Sequence, residues 1–124
     1  MNDTNELEFL GDIGIFRPVG SYRFQQVVAQ VTGIIVKARG QGISKLVVVS
    51  YGLSGFESPS LSERHWMVRE WVAASASNLK LAMVVPPEFI DPDKFGVVAA
   101  ANFGFTVNVF TSEAEAINWL NDLP

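Results

Sequence analysis

The chain has 124 residues, 48% hydrophobic and 18% charged, enough apolar material for one core and too much for a disordered segment. Nine Lys and Arg against thirteen Asp and Glu leave a formal charge of −4 with no basic cluster, which argues against binding to nucleic acid. There is no cysteine, so disulfides, thiolate metal sites and cysteine nucleophiles are excluded, and a reducing cytoplasm is the expected location.

The opening Met1-Asn2-Asp3-Thr4-Asn5-Glu6 is polar and acidic, unlike a signal peptide, and residues 1–5 are expected to be flexible. Leu7-Glu8-Phe9-Leu10 and Ile13-Gly14-Ile15-Phe16-Arg17 read as two short strands, with Gly11-Asp12 as a hairpin turn. From Tyr22 to about Arg39 the spacing changes. Phe24, Val27, Val28, Val31, Ile34, Ile35 and Ala38 recur every three or four residues and mark one buried helical face. Gly40 or Gly42 ends that helix.

Leu46-Val47-Val48-Val49 is the centre of a strand buried on both faces, and Leu79-Lys80-Leu81-Ala82-Met83-Val84-Val85 is a second, stopped by Pro86-Pro87. The two are expected to be parallel neighbours. Between them a helix runs to about Ser77. Its start has two candidates: Ser58 as N-cap with Pro59 at the first helical position, or a capping box of Ser60 and Glu63. At about 100° per residue, Leu61, Met67, Val68, Trp71, Val72 and Ser75 share the side facing the sheet, and Trp66 falls nearly opposite. Asp91-Pro92-Asp93 predicts another helix start, with Asp91 as the cap, and Gly104 its end. Phe105 to Phe110 is a last strand, and Ser112 with Glu115 is a capping box opening a last helix through Leu120. The order β-β-α-β-α-β-α-β-α predicts a single α/β domain over residues 1–124, with a mixed, mostly parallel sheet of about five strands and four helices.

That order of elements resembles the STAS fold, found in anti-sigma-factor antagonists and in the cytoplasmic tails of sulfate transporters. The ending Val109-Phe110-Thr111-Ser112-Glu113-Ala114-Glu115-Ala116-Ile117-Asn118-Trp119-Leu120 looks like that of the bacterial SpoIIAA-like group, where a strand yields to an acidic cap and an Ala-x-x-Trp-Leu helix. The resemblance implies a regulatory protein-binding module. Antagonists of the family carry a phosphorylatable serine in Phe-x-Asp-Ser-Ser-Gly-Leu. Here the comparable run is Phe56-Glu57-Ser58-Pro59-Ser60-Leu61. Aligned on the phenylalanine, Ser60 takes that serine's place, while Ser58, Pro59 and Leu61 replace the aspartate, the preceding serine and the glycine. Ser58 and Ser60 are therefore the candidate phosphoacceptors.

Reactive constellations are sparse. No phosphate-binding glycine motif occurs, and nothing points to a cofactor. A single histidine, His65, makes a histidine-rich metal site impossible, and Glu88, Asp91 and Asp93 read as helix-end carboxylates rather than cation ligands. An enzyme using Ser54, His65 and a carboxylate is the weakest reading. In open parallel sheets ligands gather at the carboxyl ends of the strands. That edge holds the candidate contact residues Tyr51, Leu53, Ser54 and Phe56, with Trp66 beyond them as an aromatic anchor. The expectation is a non-catalytic module that binds a protein, with homodimerisation through Trp66 as one form of it. The alternative is a small-ligand carrier, for a lipid or nucleotide, in a mouth lined by Tyr51, Leu53 and Phe56.

Overall fold

The computed structural model describes residues 7–75, 79–91 and 93–123. The expected flexibility of residues 1–5, the helix end at Ser77 and the role of Pro92 lie outside the described residues. β1 (Glu8–Leu10) and β2 (Ile13–Phe16) form an antiparallel hairpin in which Leu10 faces Ile13. The turn between them needs a left-handed residue, and Gly11 supplies it at φ +62°. β4 (Lys45–Val49) runs parallel to β2, β6 (Lys80–Val84) parallel to β4, and β7 (Val107–Phe110) parallel to β6. The five-stranded sheet therefore has the order β1-β2-β4-β6-β7, mixed only at the hairpin edge. The two apolar strands are neighbours as expected, with Leu46 opposite Leu81 and Val49 opposite Val84.

Both faces of the sheet are covered, which is why these strands read as continuous apolar runs rather than alternating ones. Phe16, Leu46, Val48 and Leu81 face α1 (Phe24–Gly40), α2 (Leu61–Ser75) and α3 (Phe95–Asn102). Ile13, Ile15, Val47, Val49, Ala82 and Val84 face Ala116 and Leu120 of α4 (Glu113–Asn121). The pleat separates the two sets residue by residue.

In α1 all seven residues of the expected face are buried. The helix continues through Gly40, and Gly42, at φ +77°, follows its end. Gly33 is exposed in mid-helix, and a β-carbon there would meet nothing within 4 Å. Gly33→Ala should therefore stabilise the fold by about 0.5–1 kcal/mol, through helix propensity alone. A rise of a few degrees in the thermal midpoint would register it; an unchanged or lower midpoint would count against this reading.

The two starts open in α2 resolve in favour of Ser60. Its Oγ accepts the Glu63 N–H at 3.2 Å, and its own N–H donates to Glu63 Oε1 at 2.9 Å, a reciprocal capping box. Ser112 caps α4 in the expected way, accepting the Glu115 N–H at 3.2 Å. Two expectations need correction. Leu61, placed on the buried side of α2, is 63% exposed, because it opens the helix a full turn and more before Val68, the first fully buried residue. Ala74 joins Val68, Trp71 and Ser75 in the buried set instead. And Asp91 does not cap α3. Its carbonyl accepts the Lys94 N–H in a tight turn, and Lys94 stands in the left-handed region at φ +48°, so the helix begins only at Phe95.

Candidate functional site

Because β2, β4, β6 and β7 are parallel, the loops that leave their carboxyl ends share one edge of the sheet. Hydrogen bonds tie these loops together. β3 (Gly20–Ser21), after β2, pairs in parallel with β5 (Leu53–Ser54), after β4, as a second two-stranded sheet. The Gly20 N–H donates to Gly52 O at 3.0 Å and the Tyr22 N–H to Ser54 O at 2.8 Å. The Tyr51 hydroxyl donates to Thr111 O at 2.8 Å, reaching the loop after β7. Buried Ser50 donates its hydroxyl to Val84 O at 3.1 Å.

Arg64, one turn into α2, fastens the loop after β4 to the loop after β6. Its Nε donates to Pro59 O at 3.2 Å, and Nη2 donates to Ser58 Oγ at 2.9 Å and to Phe89 O at 3.3 Å. Phe89 belongs to a 3-10 turn, Pro87–Phe89. On the other side of the edge, Arg17 joins β1 to the start of α4. Its guanidinium forms a fork on Glu113, with Nη2–Oε1 at 2.6 Å and Nε–Oε2 at 3.3 Å, and Nη1 lies 2.6 Å from Glu8 Oε1. Hydrogen bonds donated to Glu113 and then to Glu8 raise the Arg17 pKa above the ordinary arginine value.

Four aromatic rings line up along this edge. Trp66 meets Phe24 edge-on with centroids 6.3 Å apart, Phe24 meets Phe56 at 6.3 Å, and Phe56 meets Phe89 at 5.6 Å. The row begins 39% exposed at Trp66 and passes inward through Phe24, which is almost fully buried. Trp66 is thus half covered, by a ring of α1. At the starts of α1 and α2 lies an open depression of about 550 Å³, with Phe24 and Phe56 among its walls and Arg23, Glu57, Ser58 and Glu63 around them. It continues past Gln25 and Glu63 to a shallower hollow beside Trp66.

The expected contact residues divide on this geometry. Phe56 and Trp66 stand on the aromatic row, and Ser54 is exposed in β5. Leu53 packs against the core, and Tyr51, 50% exposed, turns toward Thr111. Neither Tyr51 nor Leu53 is among the walls of the depression at Phe56. Beneath α2 are two partly open cavities, of about 60 and about 90 Å³. Sites for drug-sized ligands run to ~300–1,000 Å³, so neither takes a lipid or a nucleotide. Of the two serines, Ser60 uses its hydroxyl as a helix cap and Ser58 holds Arg64. His65 is exposed on α2, and among the described residues no three His, Asp or Glu side chains gather as a metal cage.

Phe24 and Phe89 are the members of the site that the sequence did not single out, and Arg64 stood there only as part of a polar rim beside Trp66. Phe24 was legible only as a core position of α1, and the contacts that recruit Arg64 and Phe89 join separate loops. Among the described residues no helix is long and apolar enough to cross a membrane.

No protein-family model matches the chain, and no curated relative does. Solved structures do resemble it. The solution structure of TM1081 superposes with a TM-score of 0.55 at 15% identity, covering 99% of this chain and 93% of that one. A crystal structure of the same Thermotoga maritima protein, a proposed anti-sigma factor antagonist, gives 0.51 at 17% identity over 94% and 93%. The unphosphorylated form of the anti-sigma factor antagonist SpoIIAA matches at 0.48 and 20% identity over 95% and 98%. The α/β architecture of this chain is the STAS/SpoIIAA-like fold.

Proposed function

We propose that the chain is a non-catalytic regulatory module that binds another protein through the depression between the starts of α1 and α2. One observation carries the reading: the aromatic row, half exposed at Trp66 and opening at Phe56 onto an open depression of about 550 Å³. A partner segment laid there would cover Trp66 and bring an apolar side chain against Phe56, the kind of desolvated aromatic contact that dominates interfaces. The solved structures of like fold include a protein described as an anti-sigma factor antagonist, which supports a regulatory protein as the partner.

Affinity capture from the native cell, followed by titration of the purified partner, tests the site. Trp66→Ala and Phe56→Ala should each weaken binding at least tenfold, about 1.4 kcal/mol. Trp66→Ala should do so with little loss of stability, since its ring is partly in solvent. If both variants bind as the parent does, the face is wrong.

A regulatory phosphate suits Ser58 better than Ser60. On Ser58 it would meet the Arg64 guanidinium, already 2.9 Å from the hydroxyl, whereas on Ser60 it would crowd the Glu63 carboxylate of the capping box. Tryptic mapping of protein from its native cell should find the phosphate on Ser58. A phosphate only on Ser60, or on neither in every growth state, would end this part of the reading.

A further inference from the structure

The two cavities under α2 carry chemistry that the docking face does not use. One lies toward α1 and the other toward α3, and the same six residues line both: Arg64, Met67, Trp71, Met83, Phe89 and Val109. Two of these shared residues are methionines, Met67 on α2 and Met83 on β6. Methionine has three rotatable side-chain bonds and no branch, so it is the side chain that most readily swings aside. Joined, the two spaces approach the ~150 Å³ at which an apolar protein cavity stays dry and takes up benzene.

The polar groups around this space are already engaged. Trp71 Nε1 donates to Val28 O at 3.3 Å, and Ser50 Oγ to Val84 O. Arg64 holds three oxygens of the loops, and Lys94 Nζ lies 3.0 Å from Asn108 Oδ1. A charged guest would have to give up its water for a space lined mainly by apolar side chains. An uncharged apolar guest meets mostly hydrocarbon, sulfur and aromatic faces and makes no demand on Ser50, Arg64, Asp91 or Lys94 at the margins.

We infer that the space beneath α2 is one divided pocket for a small uncharged apolar molecule, about the size of a single aromatic ring, and that Met67 and Met83 are its movable wall. One half of this pocket shares the walls Phe24 and Phe56 with the open depression, but the inference does not depend on the partner reading.

Methyl-13C-methionine NMR tests it directly, because the chain has only three methionines and two of them form the wall. Titration of the full chain with benzene should shift the Met67 and Met83 methyl signals saturably. Benzoate, of the same ring size but charged, should bind at least tenfold more weakly. Val109→Phe, which fills space next to both halves, should abolish the benzene shifts. Benzene without a saturable shift at either methyl would overturn the inference, as would benzoate binding as tightly or benzene binding undiminished in a folded Val109→Phe. Should that variant fail to fold, the two titrations of the parent chain decide alone.

Discussion

Trp71→Ala should lower stability by about 3–5 kcal/mol, the largest single loss expected anywhere in the chain. Trp71 is 3% exposed and sits in the middle of α2, facing the sheet, with both cavities beside it. Truncation removes a large buried ring. It also enlarges two spaces that the surrounding backbone already fails to fill, so relaxation has little to offer. The hydrogen bond from Nε1 to Val28 O is the minor part of the loss, because that carbonyl also accepts the Thr32 hydroxyl at 2.7 Å and is not orphaned when the indole goes. Trp71→Phe should therefore cost less than half as much as Trp71→Ala. Urea denaturation of the two variants separates the contributions. Equal losses would mean that the hydrogen bond, not the ring's volume, holds α2 to α1.

Such a residue was visible in the sequence because its role is local. The helical repeat of α2 puts Trp71 with Val68 and Ser75, and the repeat of α1 gives all seven of its buried positions. Likewise β4 and β6 declare themselves by unbroken apolar character, since a strand covered on both sides has no solvent face to mark with polar residues. What the sequence concealed is contact between segments far apart in it. β3 and β5 are two residues each, too short for any periodicity to show, and they exist because two loops leaving the same sheet edge meet. The start of α3 was misread for a related reason. Asp91 before a proline is a strong local signal, yet its carbonyl closes a turn on the Lys94 N–H with Lys94 in the left-handed region, and the helix is delayed to Phe95. At the site, Phe56 and Trp66 were legible as large aromatics on a loop and a polar helix face. Their connection through Phe24 required the packing of α1 on α2.

Gly55 is where that long-range arrangement is least forgiving, and Gly55→Ala should cost about 2–4 kcal/mol. The backbone there has φ +98°, a conformation that a β-carbon resists. Space is lacking as well. A β-carbon would lie 2.7 Å from Ser21 Oγ, 2.8 Å from Tyr22 O and 2.9 Å from Tyr22 N. The serine hydroxyl can rotate away, but the Tyr22 backbone cannot, because its N–H is one of the two donors that join the short strands. The β3–β5 pair must therefore separate, and Phe56, the next residue, loses the anchor that holds it against Phe24. Amide hydrogen exchange should show the Gly20 and Tyr22 N–H groups losing protection well before the β4 and β6 amides do. The comparison with Gly33→Ala is the sharper test, since the same chemical change is expected to stabilise in open helix and destabilise here. If Gly55→Ala keeps the parent's unfolding midpoint with those two amides still protected, the latch between the loops does not hold the docking edge in place.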